Sequence, residues 1–291
     1  MDHSEKLTAI KQELEQTALL PTLRLKADAK TPLTSYTSKI GGIPYMPKGF
    51  DYPLDAKGNP LCFLAQINFQ SKPPLEGFPA QGMLQFYIGT DWNYGMPAAH
   101  DLRKIPIPQK NFRVIYHEQL LEPDALTIEM PALKWEKDSY GGEYEPPFTK
   151  PLALIGEVAT QPIDYTNVGF EEALLVSYNK HFNEESSRIP RHVSNHIYDA
   201  CYYERVAFMD DQGGEHRMGG YPMFSQNDPR EYDPKLRHYD TLLLQIDSEF
   251  NPEEREFEII WGDMGTAQFF INQESLERLD FSDVLFDWAC G

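Results

Sequence analysis

The sequence predicts an α+β fold, rich in strands, in which two similar units share one core and an N-terminal helix packs outside. Three observations carry this. A helical apolar stripe appears at the N-terminus. From residue 31 onward, short apolar runs alternate with Gly, Pro and Asn clusters. Three short motifs of the first half recur in order in the second. The expected layout is one compact domain over residues 1–291. It comprises a helix over 4–19, a first unit over about 31–120, a connector over about 121–204 and a second unit over about 205–288.

The first helix is read from Leu7, Ile10, Leu14 and Ala18, which recur at three- and four-residue steps and form one stripe. Ser4 is the expected cap and Pro21 the expected stop. Strands are expected over Leu61–Phe69, Met83–Ile88, Phe112–His117, Leu152–Val158, Cys201–Met209, Thr241–Asp247 and Gly265–Ile271. Residues 121–151 hold Pro123, Pro131, Pro146, Pro147 and Pro151 with Gly141-Gly142, and so read as a loop-rich join. A helix is expected over Phe170–Tyr178, then an irregular polar stretch over 181–200 and a turn at Asp210-Asp211-Gln212-Gly213-Gly214. Near the C-terminus, Gln273–Leu279 forms a short helix capped by Asn272. The apolar tail Phe281, Val284, Leu285, Phe286 and Trp288 must then pack against something.

The chain carries 26 basic and 45 acidic residues, a net charge of −19. Such a chain repels phosphate backbones, which argues against general nucleic-acid binding. The longest apolar run, Leu61–Ala65, is too short to span a membrane. Met1–Lys6 is charged and leads into no apolar leader segment, so no secretory signal is expected. Cys62, Cys201 and Cys290 are sparse, odd in number and without a CxxC pair. They suggest a reduced, cytoplasmic protein with no structural zinc.

The recurring blocks are specific. Lys39-Ile40-Gly41-Gly42-Ile43-Pro44 is followed by Phe63-Leu64-Ala65-Gln66-Ile67-Asn68 and then by Gly82-Met83-Leu84-Gln85-Phe86-Tyr87-Ile88. In the second half the same order holds: Arg217-Met218-Gly219-Gly220-Tyr221-Pro222, then Leu242-Leu243-Leu244-Gln245-Ile246-Asp247, then Gly265-Thr266-Ala267-Gln268-Phe269-Phe270-Ile271. Gly42 and Gln66 stand 24 positions apart, Gly220 and Gln245 stand 25 apart. A unit with two short apolar strands cannot cover both strand faces alone, and pairing with its copy closes a shared core.

Glycine pairs permit positive φ or close chain approach, and Pro44 or Pro222 then fixes the exit direction. A phosphate-cradling loop would need a helix to follow, and Pro-rich sequence follows instead. Gln66, Gln85, Gln245 and Gln268 each put an amide inside an apolar strand. By strict alternation Gln66 shares a face with Leu64 and Asn68, and Gln245 with Leu243 and Asp247. Such amides either bond neighbouring backbone, the commoner fate of buried polar groups, or line a polar cleft between the units where a ligand sits.

The order GG-x-P, (F/L)L-x-QI(N/D), G-x-x-QF(Y/F)I, with Asp280-Phe281-Ser282 and Trp288 near the end, resembles the YwqG-like family (DUF1963) from about Gly41 to Trp288. The resemblance implies a soluble bacterial cytoplasmic protein with a duplicated α+β arrangement and no established activity. Some members are similar to proteins suspected of acting as antitoxins or immunity partners.

Catalytic signatures are missing: there is no GxSxG, Walker loop, GxGxxG or HExxH, and no cofactor is implied. His192 and His196 would share a helix face, yet a metal needs a third ligand, for which Asp199 and Cys201 are the nearest choices. Asp210-Asp211 and Glu215-His216 lack calcium-loop spacing and read as a solvated turn. Trp92, Tyr94, Trp135, Tyr140, Tyr144 and Phe148 lie in loops, where aromatics either anchor partners or pin loops to the core. Two functions are consistent with all this. One is a binding protein that engages a basic partner such as a toxin. The other is a small-molecule binder or enzyme with a cleft lined by Gln66, Gln85, Gln245 and Gln268.

Overall fold

In the computed structural model, residues 1–163, 165–212 and 215–291 are described, with no side chain described for 204–212. Helix α1 (His3–Thr17) buries Leu7, Ile10 and Leu14. Its cap is Asp2, not Ser4. The Asp2 carboxylate accepts from the Glu5 N–H while the Glu5 carboxylate accepts from the Asp2 N–H, so two orphan donors are satisfied reciprocally.

The chain does not stop at Pro21 but runs into a ten-residue strand, β1 (Leu19–Asp28). Leu23, Leu25 and Ala27 face the core while Arg24 and Lys26 face out, the period of two that a half-buried strand requires. Pro21 is tolerated because only one neighbouring strand pairs with β1 at that level; pairing on the other side begins at Thr22. Strands β2 (Lys39–Ile40), β3 (Cys62–Asn68), β4 (Met83–Ile88) and β5 (Arg113–His117) follow, then β6 (Leu152–Pro162).

Helix α2 (Phe170–Phe182) precedes α3 (Arg191–Gln212). The expected strand over Cys201–Met209 is therefore helix, and so is half of the stretch expected to be irregular. Composition misleads here: Tyr, Val and Phe suggest a strand, but Val193, Ile197 and Cys201 continue a four-residue step onto the helical cluster. Of the expected turn at 210–214, residues 210–212 close α3, and Gly213-Gly214 lie outside the described residues. Then come β7 (His216–Gly219), α4 (Pro229–Tyr232), β8 (Thr241–Asp247), β9 (Glu249–Asn251), β10 (Glu256–Ile259), β11 (Thr266–Ile271), α5 (Gln273–Glu277) and β12 (Val284–Ala289). Asn272 occupies the cap position of α5, but its side chain bonds the His238 carbonyl instead, and Asp240 accepts from the Gln273 N–H.

Among the described residues ten strands form one antiparallel sheet in the order β12-β11-β8-β7-β1-β6-β2-β3-β4-β5. The hairpin β9–β10 stands apart. β1 and β6 pair along ten residues at the centre, with the other strands stepping outward on either side. The sheet curls until its ends approach. Phe112, just ahead of β5, meets Phe286 of β12 at 5.5 Å between ring centroids, and Tyr116 meets Phe281 at 5.2 Å. The interior holds Leu64, Ile67, Leu84 and Phe86 from one side and Leu244, Ile246, Phe269 and Phe286 from the other. Phe269 stacks on Phe286 at 4.5 Å. A second, smaller core joins α1, α2 and α3 through Ile10, Leu174, Tyr178, Val193 and Ile197. Among the described residues no helix is long and apolar enough to cross a membrane.

Both central glutamine strands carry a bulge. The β3–β4 register slips at Leu64 and the β8–β11 register slips at Leu243. A bulged residue breaks alternation. Leu64 and Leu243 consequently join the interior, and the residues sharing the glutamine face are Phe63 and Leu242 instead.

Candidate binding cleft

Each glutamine expected to line a cleft is buried in the wall behind the sheet and bonded there. Gln66 and Gln85 face one another across the β3–β4 ladder, and Gln245 and Gln268 across β8–β11. Gln66 Oε1 accepts from the Tyr45 N–H at 2.8 Å, and its amide nitrogen donates to the Ser35 and Thr37 carbonyls, each at 2.8 Å. Gln85 Nε2 donates to the Tyr45 carbonyl at 2.7 Å. In the second half Gln245 Oε1 accepts from the Met223 N–H at 2.8 Å and its nitrogen donates to the Glu215 carbonyl. Gln268 Nε2 donates to the Met223 carbonyl at 2.6 Å. Tyr45 and Met223 lie three residues past Gly42 and Gly220, so each glutamine pair clamps the chain leaving a glycine turn. Those turns have φ of 62° and 75° at Gly41 and Gly42, and 63° and 67° at Gly219 and Gly220. Pro44 and Pro222 follow them after one intervening residue, Ile43 or Tyr221.

His117 completes the first clamp. Gln85 Oε1 accepts from the Tyr87 hydroxyl and from His117 Nε2, both at 3.0 Å, which places the imidazole proton on Nε2. Burial keeps this ring neutral and pushes its pKa from 6.5 down to about 4. Between those values the unfolded chain takes up a proton that the folded chain refuses. Stability therefore falls as pH drops from about 6.5 toward about 4, by up to about 1.4 kcal/mol per pH unit and less where the ring keeps solvent contact. Carboxylates lose their own contribution on acidification, so the comparison is with His117→Asn. Urea unfolding at pH 7 and pH 5 should show a larger loss for the parent protein; equal losses would refute the assignment.

The concave opening between the halves lies where the ends of the sheet meet. It is about 480 Å³ and is lined by Gln109, Arg113, Val114, Ile115, Tyr116, Leu279, Phe281 and Ser282. Gln109 spans it at one end. Its Oε1 accepts from the Val114 N–H at 2.7 Å and its Nε2 donates to the Phe281 carbonyl at 2.7 Å. The Tyr116 hydroxyl donates to the Gln81 carbonyl at 2.8 Å. Arg113 Nε is shut from water and has no acceptor among the described residues. These residues gave little signal in the sequence, because a single Arg beside a short apolar strand is common.

The other expected features separate. A smaller groove between α1 and α2, about 320 Å³, is edged by Glu13, whose carboxylate accepts from Ser177, Lys180 and His181 and is held below the usual range, chiefly by Lys180. His192 and His196 are exposed on α3, and among the described residues no three His, Cys, Asp or Glu side chains converge as a metal set. Cys62 is buried, its thiol pushed up to about 12 by burial. Of the loop aromatics, Tyr94, Trp135 and Phe148 pack on the main core, whereas Trp92 and Tyr140 are exposed. Tyr144 is half-buried.

A family profile described as Domain of unknown function (DUF1963) matches residues 38–290, the span whose motifs resemble that family. No curated protein matches the chain.

Proposed function

Because the chain belongs to the DUF1963 family, which brings no activity with it, we propose a function from its surface: a binding protein that captures a basic protein partner on the connector between β5 and β6. The carrying observation is the exposed chemistry of residues 118–145. Glu118, Glu122, Asp124 and Glu129 are exposed and without ion pairs among the described residues. In the same connector Ile128 is 69% exposed and Tyr140 96%. A segment that carries both free carboxylates and exposed apolar side chains suits a cationic partner: charge steers the encounter and the apolar groups supply contact area. An immunity or antitoxin-like role in the bacterial cytoplasm is the form this reading takes.

Capture of basic proteins by the immobilised chain tests it. Capture should weaken steeply with added salt, as screening of exposed charges requires. The combined substitutions Glu118→Gln, Glu122→Gln, Asp124→Asn and Glu129→Gln should lower affinity by at least about ten-fold. Capture indifferent to both would sink the reading. The alternative, a small-molecule site or enzyme in a cleft between the halves, is favoured by the opening beside Arg113 and gains nothing from the four sealed glutamines.

We also propose that the halves descend from one copied unit. What supports this is the repeated strand order outward from the seam, the matching bulges at Leu64 and Leu243, the paired positive-φ glycines and the equivalent glutamine bonds. Similar destabilisation by Gln66→Leu and Gln245→Leu tests it.

A further inference from the structure

Among the described residues no strand lies beside the outer edge of β5. In an antiparallel ladder alternate residues turn both N–H and C=O to the same side. The Val114 N–H points away from β4, since it donates to Gln109 Oε1. Tyr116, two residues on, turns its N–H and carbonyl to the same open side.

Across the gap lies the segment that leads into β12. One amide, that of Gln109, reaches from the Val114 N–H to the Phe281 carbonyl with 2.7 Å at each end. That is how the peptide group of one intervening strand would bond to both neighbours. The gap at this level is therefore one strand wide, and Gln109 fills a single rung of it. Beyond that rung lies the 480 Å³ opening, with Val114–Tyr116 on one wall and Leu279, Phe281 and Ser282 on the other. A slot walled on both sides admits one extended chain and excludes the broad edge of another sheet. Arg113, on the same strand, lines the opening, and its buried Nε has no acceptor among the described residues. A guanidinium in that state pairs best with a carboxylate.

We propose that this slot binds an extended peptide carrying an acidic side chain, by strand addition to β5. The Tyr116 N–H and carbonyl form the new rungs, apolar side chains of the peptide pack on Val114 and Phe281, and the peptide carboxylate bonds Arg113. The connector has no part in it. Its carboxylates seek cations, whereas Arg113 seeks an anion.

The test uses the full chain, isotope-labelled, with a positional-scanning library of short acetylated and amidated Val/Thr peptides bearing Glu, Gln or Lys at each position. Glu-bearing members should slow exchange of the Tyr116 amide proton. Backbone N-methylation of the same peptides should abolish the effect. Arg113→Gln should remove the preference for Glu over Gln, at least about five-fold, while strand addition persists. Should that variant not fold, the N-methyl comparison on the parent protein still decides the matter. Three results would overturn the proposal: no library member alters the Tyr116 amide; sodium acetate or phosphate alone reproduces the effect; or the amide is protected without peptide in step with self-association in sedimentation.

Discussion

Gln66→Leu is expected to destabilise the protein by about 4 kcal/mol, among the larger effects of a single substitution. Leucine matches glutamine in bulk, so packing is little changed and polarity decides the outcome. The substitution leaves the buried Tyr45 N–H and the half-buried Ser35 and Thr37 carbonyls without their partner, and takes from Gln85 Nε2 one of its two acceptors. Each orphaned buried group costs about 1–3 kcal/mol, and partial rebonding keeps the total below the sum. Gln245→Leu strands the Met223 N–H and the Glu215 carbonyl, for an expected loss of about 3 kcal/mol. Urea midpoints at constant m-value provide the measurement. A loss under about 1 kcal/mol at Gln66 would mean that the turn does not depend on its clamp.

Gly265→Ala is the second large effect. A methyl group there would meet the Ala289 carbonyl and the Cys290 Cα, both backbone atoms that no rotamer change can move. The Gly265 carbonyl is meanwhile held by the Ser248 N–H and hydroxyl, so the turn cannot retreat. β12 must instead separate from β11 at the Thr266–Ala289 pair. The expected cost is about 3–5 kcal/mol. Trp288, whose ring packs against Tyr94 and Trp261, should report the displacement as a change in emission. Gly82 stands in the corresponding place in the first half, where a methyl would lie 2.6 Å from the His117 carbonyl. Unchanged melting and unchanged Trp288 emission in Gly265→Ala would refute the steric argument.

Much of the architecture is legible in the sequence because the glutamine strands announce themselves. Met83–Ile88 and Thr241–Asp247 form strands with the expected bounds, and the α+β, strand-rich class holds. The failures have local causes. Pro21 hid a strand whose alternation from Leu23 to Ala27 was readable. Aromatic and β-branched residues masked the continuation of α3. The bulges at Leu64 and Leu243 were invisible because the extra residue is an ordinary leucine whose only distinction is a ladder slip. The cleft was legible least of all. Its walls, β5 and the segment at Leu279–Ser282, are more than 160 residues apart and meet only because the sheet curls.

The placement of β1 at mid-sheet has a kinetic consequence. Thr22 must find Gly219, and Leu19 must find Pro162. β1 precedes both of its partner strands by a long stretch of chain and waits for segments that follow much later. Loop-closure entropy sets the wait, and long-range antiparallel pairing is slow. The outer strands on either flank can assemble through nearer neighbours meanwhile, so joining the flanks through β1 and β6 should be the last and slowest event of folding.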